Sequence, residues 1–154
     1  MNNPVPRSVV EAFYKVYAAR DVAKIAGYLD DEVEWTISGP VDLLPFCGTH
    51  RGKANVLDLI GRQVLAVRRV FSFVPESLVI EGDQVAILSR LSARRIADGR
   101  VISYRVANFM RFRDGKVTEN LSLLDSFDAV EQLLGHPLSV HDDFPLSPGN
   151  LVAV

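Results

Sequence analysis

After Arg69 the apolar residues fall on alternate positions and keep doing so as far as Ser126. Alternation sends successive side chains to opposite faces of a strand, so this half of the chain reads as sheet buried on one side. Three dipeptides interrupt it, Gly82-Asp83, Asp98-Gly99 and Asp114-Gly115, each with the chemistry of a hairpin turn. They divide the stretch into four long strands, over 70–81, 84–97, 100–112 and 116–126, connected as an antiparallel meander. Strands of this length twist and curl, and the concave side of a curled sheet needs cover.

The N-terminal half supplies that cover. Ser8 is placed to cap a helix running to about Arg20, with Val9, Phe13, Val16 and Tyr17 at helical spacing. Asp21 caps a second helix through Ile25, Tyr28 and Leu29 that ends at Asp30-Asp31-Glu32. Val33, Trp35 and Ile37 then alternate with polar residues, as in a half-buried strand, until Gly39-Pro40 stops it. Residues 41–52 read as a loop. From Lys53 to about Arg68, the spacing of Val56, Leu57, Ile60, Val64 and Val67 marks a third helix. Asp128 and Glu131 form a capping box for a last short helix through Leu133 and Leu134. The expected fold is α+β, a cone-shaped barrel with three N-terminal helices over the concave face of a curved antiparallel meander sheet. One domain is expected over residues 1–135, followed by a tail over 136–154 with Pro137, Pro145 and Pro148, extended or mobile.

Composition narrows the function. With 48% hydrophobic and 23% charged residues among 154, the chain can bury a sizeable core. A net charge of −2 argues against nucleic acid or an anionic membrane as the main partner. Cys47 is the single cysteine, so no intrachain disulfide can form and a reducing cytoplasm is the expected setting. The opening Met-Asn-Asn-Pro-Val-Pro-Arg lacks the apolar core of a signal peptide, and no apolar run approaches the length of a membrane span. No His/Asp/Glu spacing suggests a metal site, and no cofactor is expected.

Turn chemistry sets which side chains face inward. With Asp98-Gly99 as a two-residue turn, Leu91 lies opposite Val106, Ser89 opposite Asn108 and Ala93 opposite Tyr104. One face then carries Val85, Ile87, Ser89, Leu91, Tyr104, Val106, Asn108 and Met110, and is the more apolar. The other carries Arg90, Arg94, Arg105 and Arg111. The next hairpin is open to two registers. A two-residue Asp114-Gly115 loop turns Glu119, Leu121 and Leu123 inward; a three-residue loop with a bulge turns Thr118, Asn120, Ser122 and Leu124 inward.

In layout and motifs the chain resembles the nuclear transport factor two-like superfamily, in particular its SnoaL-like polyketide cyclase branch. The resemblance is carried by Ala19-Arg20-Asp21, by Asp30-Asp31-Glu32-Val33-Glu34-Trp35, by Gly39-Pro40 and by His50-Arg51-Gly52. It continues in the run from Asn108 to Val117 and covers about residues 8 to 135. It implies an interior small-molecule pocket, although the fold also hosts binders and adaptors. In the steroid isomerases of this fold, a tyrosine and a protonated aspartate stabilise an enolate while a second aspartate moves the proton. Their seats match Phe13, Asn108 and Ile37, so only Asn108 keeps a donor for an enolate oxygen. The aspartate-arginine-aspartate set of the limonene-type epoxide hydrolases matches Ser89, Leu91 and Ser122. The same comparison favours the three-residue loop, with Asn120 and Ser122 in the pocket.

The expected pocket therefore comprises Phe13, Tyr17, Trp35, Ile37 and Phe46 from the N-terminal half, with Leu44 and Phe46 as a lid. Ser89, Leu91, Tyr104, Val106, Met110, Asn120 and Ser122 complete it from the sheet. Asn108 is the candidate for polarising a carbonyl and His50 the candidate base, against plain readings as a satisfied core amide and an idle loop histidine. Cys47 is not read as a nucleophile. Glu119 and Asp125 become the catalytic carboxylates only in the two-residue register; otherwise Asp125 caps the last helix and Glu119 pairs with Arg111. The expected ligand is a small apolar compound, handled by a cofactor-free isomerase, cyclase or dehydratase, or simply bound; the alternative is a protein-interaction module that uses the outer sheet, with the cone merely packed. Leu88, Phe109, Leu121 and Leu123 make an apolar outer patch, from which a homodimer through the sheets is expected.

Overall fold

The structure, a computed structural model, describes residues 3–139. The tail beyond them, with His141, Pro145 and Pro148, lies outside the described residues. The chain opens with α1 (Arg7–Ala18), α2 (Val22–Ile25) and a 3-10 turn at Ala26–Tyr28. Strands β1 (Leu29–Ser38) and β2 (Gly48–Arg51) follow. Next come α3 (Lys53–Asp58) and α4 (Val64–Val67), joined by a π turn at Leu59–Gln63. The meander is β3 (Arg68–Glu81), β4 (Gln84–Arg95), β5 (Val101–Arg113) and β6 (Lys116–Leu124), and α5 (Ser126–Leu134) ends the described chain.

The six strands form one sheet in the order β2-β1-β6-β5-β4-β3. The fold is α+β as expected, but the sheet is mixed: β1 lies parallel to β6, with Trp35 beside Asn120 and Ile37 beside Ser122. This pairing joins distant segments, which local periodicity does not register. Strand β2 was read as loop; it is four residues long and pairs antiparallel with β1, Trp35 opposite His50. Strand β1 also starts earlier than the alternation suggested, because Asp30-Asp31-Glu32 continues the strand through an irregular register against β6 instead of ending a helix.

Local signals account for most boundaries. Helix α1 begins ahead of Ser8, which lies inside it. The Pro6 carbonyl accepts the Val9 and Val10 amides, and no side chain caps this end. Asp21 caps α2 as read, accepting the Lys24 amide. For α5 the cap is Asp125, which accepts the Asp128 amide, so Asp128 itself is not the cap. Bulges at Phe71 and Glu76 break the β3–β4 ladder. Each adds local twist and helps curl the sheet. Pro75 sits in β3, an edge strand where a missing N–H is tolerated.

Two registers depart from the expected turns while keeping the expected faces. Arg95 donates to the Arg100 carbonyl, so Ile96–Gly99 is a four-residue loop. Ser89 therefore faces Val106, Leu91 faces Tyr104 and Ile87 faces Asn108. The shift is two residues, an even number, so no side chain changes face. At the next hairpin Arg113 pairs with Lys116 across a two-residue Asp114-Gly115 turn, both residues having positive φ. A bulge at Thr118 then restores the phase, putting Arg111 opposite Glu119 and Met110 opposite Asn120. Asn120 and Ser122 face inward, through a bulge beyond the turn and not through a three-residue loop. Glu119 is exposed, and Thr118 stands in the bulge instead of on the inner face.

The inner face is buried along its length, from Val85, Ile87, Ser89 and Leu91 on β4 to Tyr104, Val106, Asn108 and Met110 on β5. Phe13, Tyr17, Ile25, Leu59, Ile60 and Val64 from the helices close over it. Leu44 and Phe46, expected as a lid, are 0% and 1% exposed and belong to the core.

Candidate functional site

Two features occupy the closed cone. The first is a buried polar network on β5 and β6. Tyr14 Oη donates to Asn108 Oδ1 at 2.8 Å. Asn108 Nδ2 donates to Ser122 Oγ at 2.7 Å and to Asn120 Oδ1 at 3.3 Å, and Asn120 Nδ2 donates to Ser122 Oγ at 2.9 Å. Both amide hydrogens of Asn108 are thereby engaged, and its oxygen is taken by Tyr14. The donors left open are the hydroxyl hydrogen of Ser122, whose oxygen already accepts twice, and the second amide hydrogen of Asn120. Burial pushes the Tyr14 phenol well above its ordinary pKa, so it remains a neutral donor. Sequence matching placed Phe13 in the tyrosine seat of the isomerases; the hydroxyl that reaches Asn108 comes instead from Tyr14, the next residue.

The second feature is a small cavity of about 30 Å³, room for about one water molecule. Of the expected pocket residues, Tyr17, Trp35, Ile37, Leu91, Val106 and Ser122 line it. Phe13, Phe46, Ser89, Tyr104, Met110 and Asn120 are buried around it without lining it. Sequence reasoning missed Leu59, Ile60 and Val64 on the π turn and its flank, Phe73, and two arginines, Arg20 and Arg68; Leu124, turned inward in the favoured register, lines the cavity too. The π turn widens the helix where Leu59 and Ile60 reach the wall, a distortion that often accompanies a site.

The arginines give the cavity its electrostatic character. Arg68 is the first residue of β3 and is 5% exposed. Its guanidinium lies 4.7 Å from the Phe46 ring and 5.5 Å from that of Tyr104. Burial, then the neighbouring positive charge of Arg20, lowers its pKa from the ordinary guanidinium range to about 10, so it stays protonated at neutral pH. Arg20 stacks on Tyr17 at 4.5 Å and Phe73 at 5.6 Å. It follows the last turn of α1 with φ of 57°, a left-handed conformation usually left to glycine. The Arg20 amide donates to the Tyr17 carbonyl and the Asp21 amide to that of Val16, the two bonds of a Schellman ending.

His50, the candidate base, is half-buried on the edge strand β2 and does not line the cavity; its Nε2 lies 2.9 Å from the Phe46 carbonyl, which it can only meet as a donor. Cys47 is buried, and burial raises its thiol pKa. Glu119 faces solvent and pairs with Arg111 at 3.7 Å. Among the described residues, no carboxylate lines the cavity. Among the described residues, no group of three His, Cys, Asp or Glu side chains is placed to hold a metal ion, and no helix is long and apolar enough to cross a membrane. A larger apolar groove of about 360 Å³ runs between α1 and β3–β4, floored by Val10, Tyr14, Leu78 and Ile87.

A curled six-stranded sheet with helices across its hollow is the architecture of the nuclear transport factor two-like, ketosteroid isomerase-like class, whose solved members it matches. Within that class the chain belongs to the SnoaL-like domain family, which matches residues 10–120. A Rhodopseudomonas palustris protein, provisionally assigned as an isomerase, is 35% identical, with 82% of this chain and 93% of that one covered and a TM-score of 0.72. TerC, co-crystallised with polyporic acid, is 20% identical over 82% of this chain and 96% of its own, with a TM-score of 0.72. An LEH-like epoxide hydrolase from M. tuberculosis is 19% identical, over 83% and 88%, with a TM-score of 0.66. The last two share the fold. No curated protein matches the chain.

Proposed function

We propose that this chain binds a small organic molecule inside the cone, at the cavity between Trp35, Arg68 and Ser122. The observation that carries the reading is the convergence of open hydrogen-bond donors on one apolar-walled space. Interiors of folded proteins leave few buried polar atoms unpaired. Here six side-chain atoms among the described residues are buried without a partner, and four of them belong to Arg20, Trp35 and Arg68 on the cavity wall. Binding is preferred over catalysis because the lining residues include neither carboxylate nor histidine to move a proton. An isomerase- or cyclase-like reaction is the second reading. It is supported by the Tyr14–Asn108–Ser122 chain, which ends in one open hydroxyl able to polarise a carbonyl without a cofactor.

At about 30 Å³ the cavity is too small for an organic molecule, so occupancy requires its walls, the π turn or the Arg20 side chain among them, to move outward. Trp35 is the single tryptophan, is 1% exposed and lines the cavity, which makes its fluorescence a direct reporter. A saturable change in Trp35 emission on titration with small aromatic acids and ketones supports the reading. A Trp35 signal unmoved by every ligand that stabilises the protein against heat would place binding elsewhere, with the groove beside α1 as the next site to test. The outer sheet face, where Phe109, Leu121 and Leu123 are 49%, 39% and 42% exposed, is proposed to pair with a second copy of the chain.

A further inference from the structure

We infer that the occupant of the cavity is an organic anion, its carboxylate or enolate oxygens held by Arg68, Arg20 and the Trp35 indole N–H. This rests on the reading of the cavity as a ligand site and adds the chemical class of the ligand. Ser89 Oγ and Tyr104 Oη, on residues outside the lining, are also open; the open atoms on residues that line the cavity are Arg68 Nε and Nη1, Arg20 Nε and Trp35 Nε1. All are donors, and neither guanidinium nor indole can accept a hydrogen bond. Whatever fills the space must therefore bring acceptors. A water molecule answers this poorly, because its own hydrogens need acceptors and Ser122 Oγ is already occupied twice.

Charge points the same way. The Arg20 and Arg68 charges lie close enough to repel each other, and neither pairs with a carboxylate among the described residues. Several other arginines of the sheet do find carboxylates: Arg90 and Arg105 share Glu76, while Arg111 meets Asp83 and Glu119. Buried charges in folded proteins are ordinarily paired. A buried guanidinium left against two aromatic rings lacks an anion, and a fork of N–H donors fits two carboxylate oxygens. The rest of the wall, Ile37, Leu59, Leu91 and Val106 among it, is apolar and suits a hydrocarbon or aromatic body behind the anionic head. Arg20 holds a left-handed conformation and is only half-buried, which suits a side chain that closes over the head from the solvent side.

The test compares three molecules of one shape and different charge, benzoate, benzamide and benzamidine, at constant ionic strength with Trp35 fluorescence as readout. Benzoate should bind at least tenfold more tightly than benzamide, and benzamidine should not bind. Arg68→Met should remove the preference for benzoate, while Arg68→Lys keeps part of it. Arg20→Gln, which removes the charge at the half-buried rim of the cavity, should weaken benzoate several-fold and benzamide hardly at all. Equal binding of benzoate and benzamide by the wild-type protein overturns the inference and leaves the ligand-binding reading standing. Retention of the benzoate preference in both Arg68→Met and Arg20→Gln also overturns it. Failure of all three molecules to bind removes both.

Discussion

Replacing Arg68 by Met should make the empty protein more stable. The guanidinium is 5% exposed, meets no carboxylate among the described residues and leaves Nε and Nη1 without partners. Its pKa falls on folding from the ordinary guanidinium range to about 10, by about two and a half units. Each tenfold change in proton affinity is ~1.4 kcal/mol, so keeping the charge costs about 3 kcal/mol in the folded state. The sign follows from the direction. A base whose folded pKa is depressed destabilises the native state fully below that pKa, and the penalty fades as pH rises from about 10 toward the ordinary guanidinium range. Stacking on Phe46 and Tyr104 returns roughly 1–2 kcal/mol. Methionine keeps much of the volume and the contact with both rings while removing the charge. A gain of about 1–2 kcal/mol is expected, raising Tm by roughly 2–8 °C for a domain of this size. Urea unfolding and thermal melts at pH 7, without ligand, measure it. A loss of more than about 1 kcal/mol would show Arg68 to be a satisfied structural residue and refute the argument from missing partners.

Arg20→Gly should be neutral or stabilising by up to about 1 kcal/mol, because glycine takes φ of 57° without strain; urea titration reads it, and clear destabilisation would mean the stacking on Tyr17 and Phe73 dominates. Asn108→Leu should lose about 2–4 kcal/mol by stranding the Tyr14 hydroxyl and the donors around Ser122, and a neutral result would contradict the network as drawn. Asp58, held to a pKa of about 2 by Arg62 and then Gln63, contributes stability present above pH ~4 and lost as pH falls toward 2. Asp58→Asn should therefore flatten the acid limb of a Tm-against-pH curve, and an unchanged limb would deny the ion pair any role. Leu121→Lys should leave the fold intact and yield monomers by light scattering, whereas an unchanged mass in both proteins would remove the sheet face as the contact between copies.

Much of the fold is legible in the alternation after Arg69. Val85 to Leu91 and Tyr104 to Met110 are buried as read, because a one-sided strand carries its facing in every second residue. That reading survived a four-residue loop at Ile96–Gly99, since an even shift preserves facing. Residues 116–124 were less secure. Their facing depends on the Thr118 bulge, a single extra residue with no period of its own. Strand β2 escaped because Gly48–Arg51 is too short for any pattern, and the parallel β1–β6 pairing because it joins segments far apart in sequence.

The site was legible in its apolar half. Tyr17, Trp35, Ile37, Leu91 and Val106 line the cavity because they occupy the buried face of a helix or strand. The charged half was hidden by the usual rule that arginine faces water. Arg20 sits at a helix ending and Arg68 at a helix–strand junction, where neither period applies. One signal was available: alternation carried back two residues from Val70 points Arg68 inward.

The most direct test of the account is a crystal structure of the chain grown with benzoate. The account predicts a carboxylate in the cone, within hydrogen-bond distance of Arg68 Nε or Nη1 and Trp35 Nε1, with the cavity enlarged beyond its closed volume of about 30 Å³. Benzoate seated instead in the groove between α1 and β3, with Arg68 still unpaired between Phe46 and Tyr104, would contradict it.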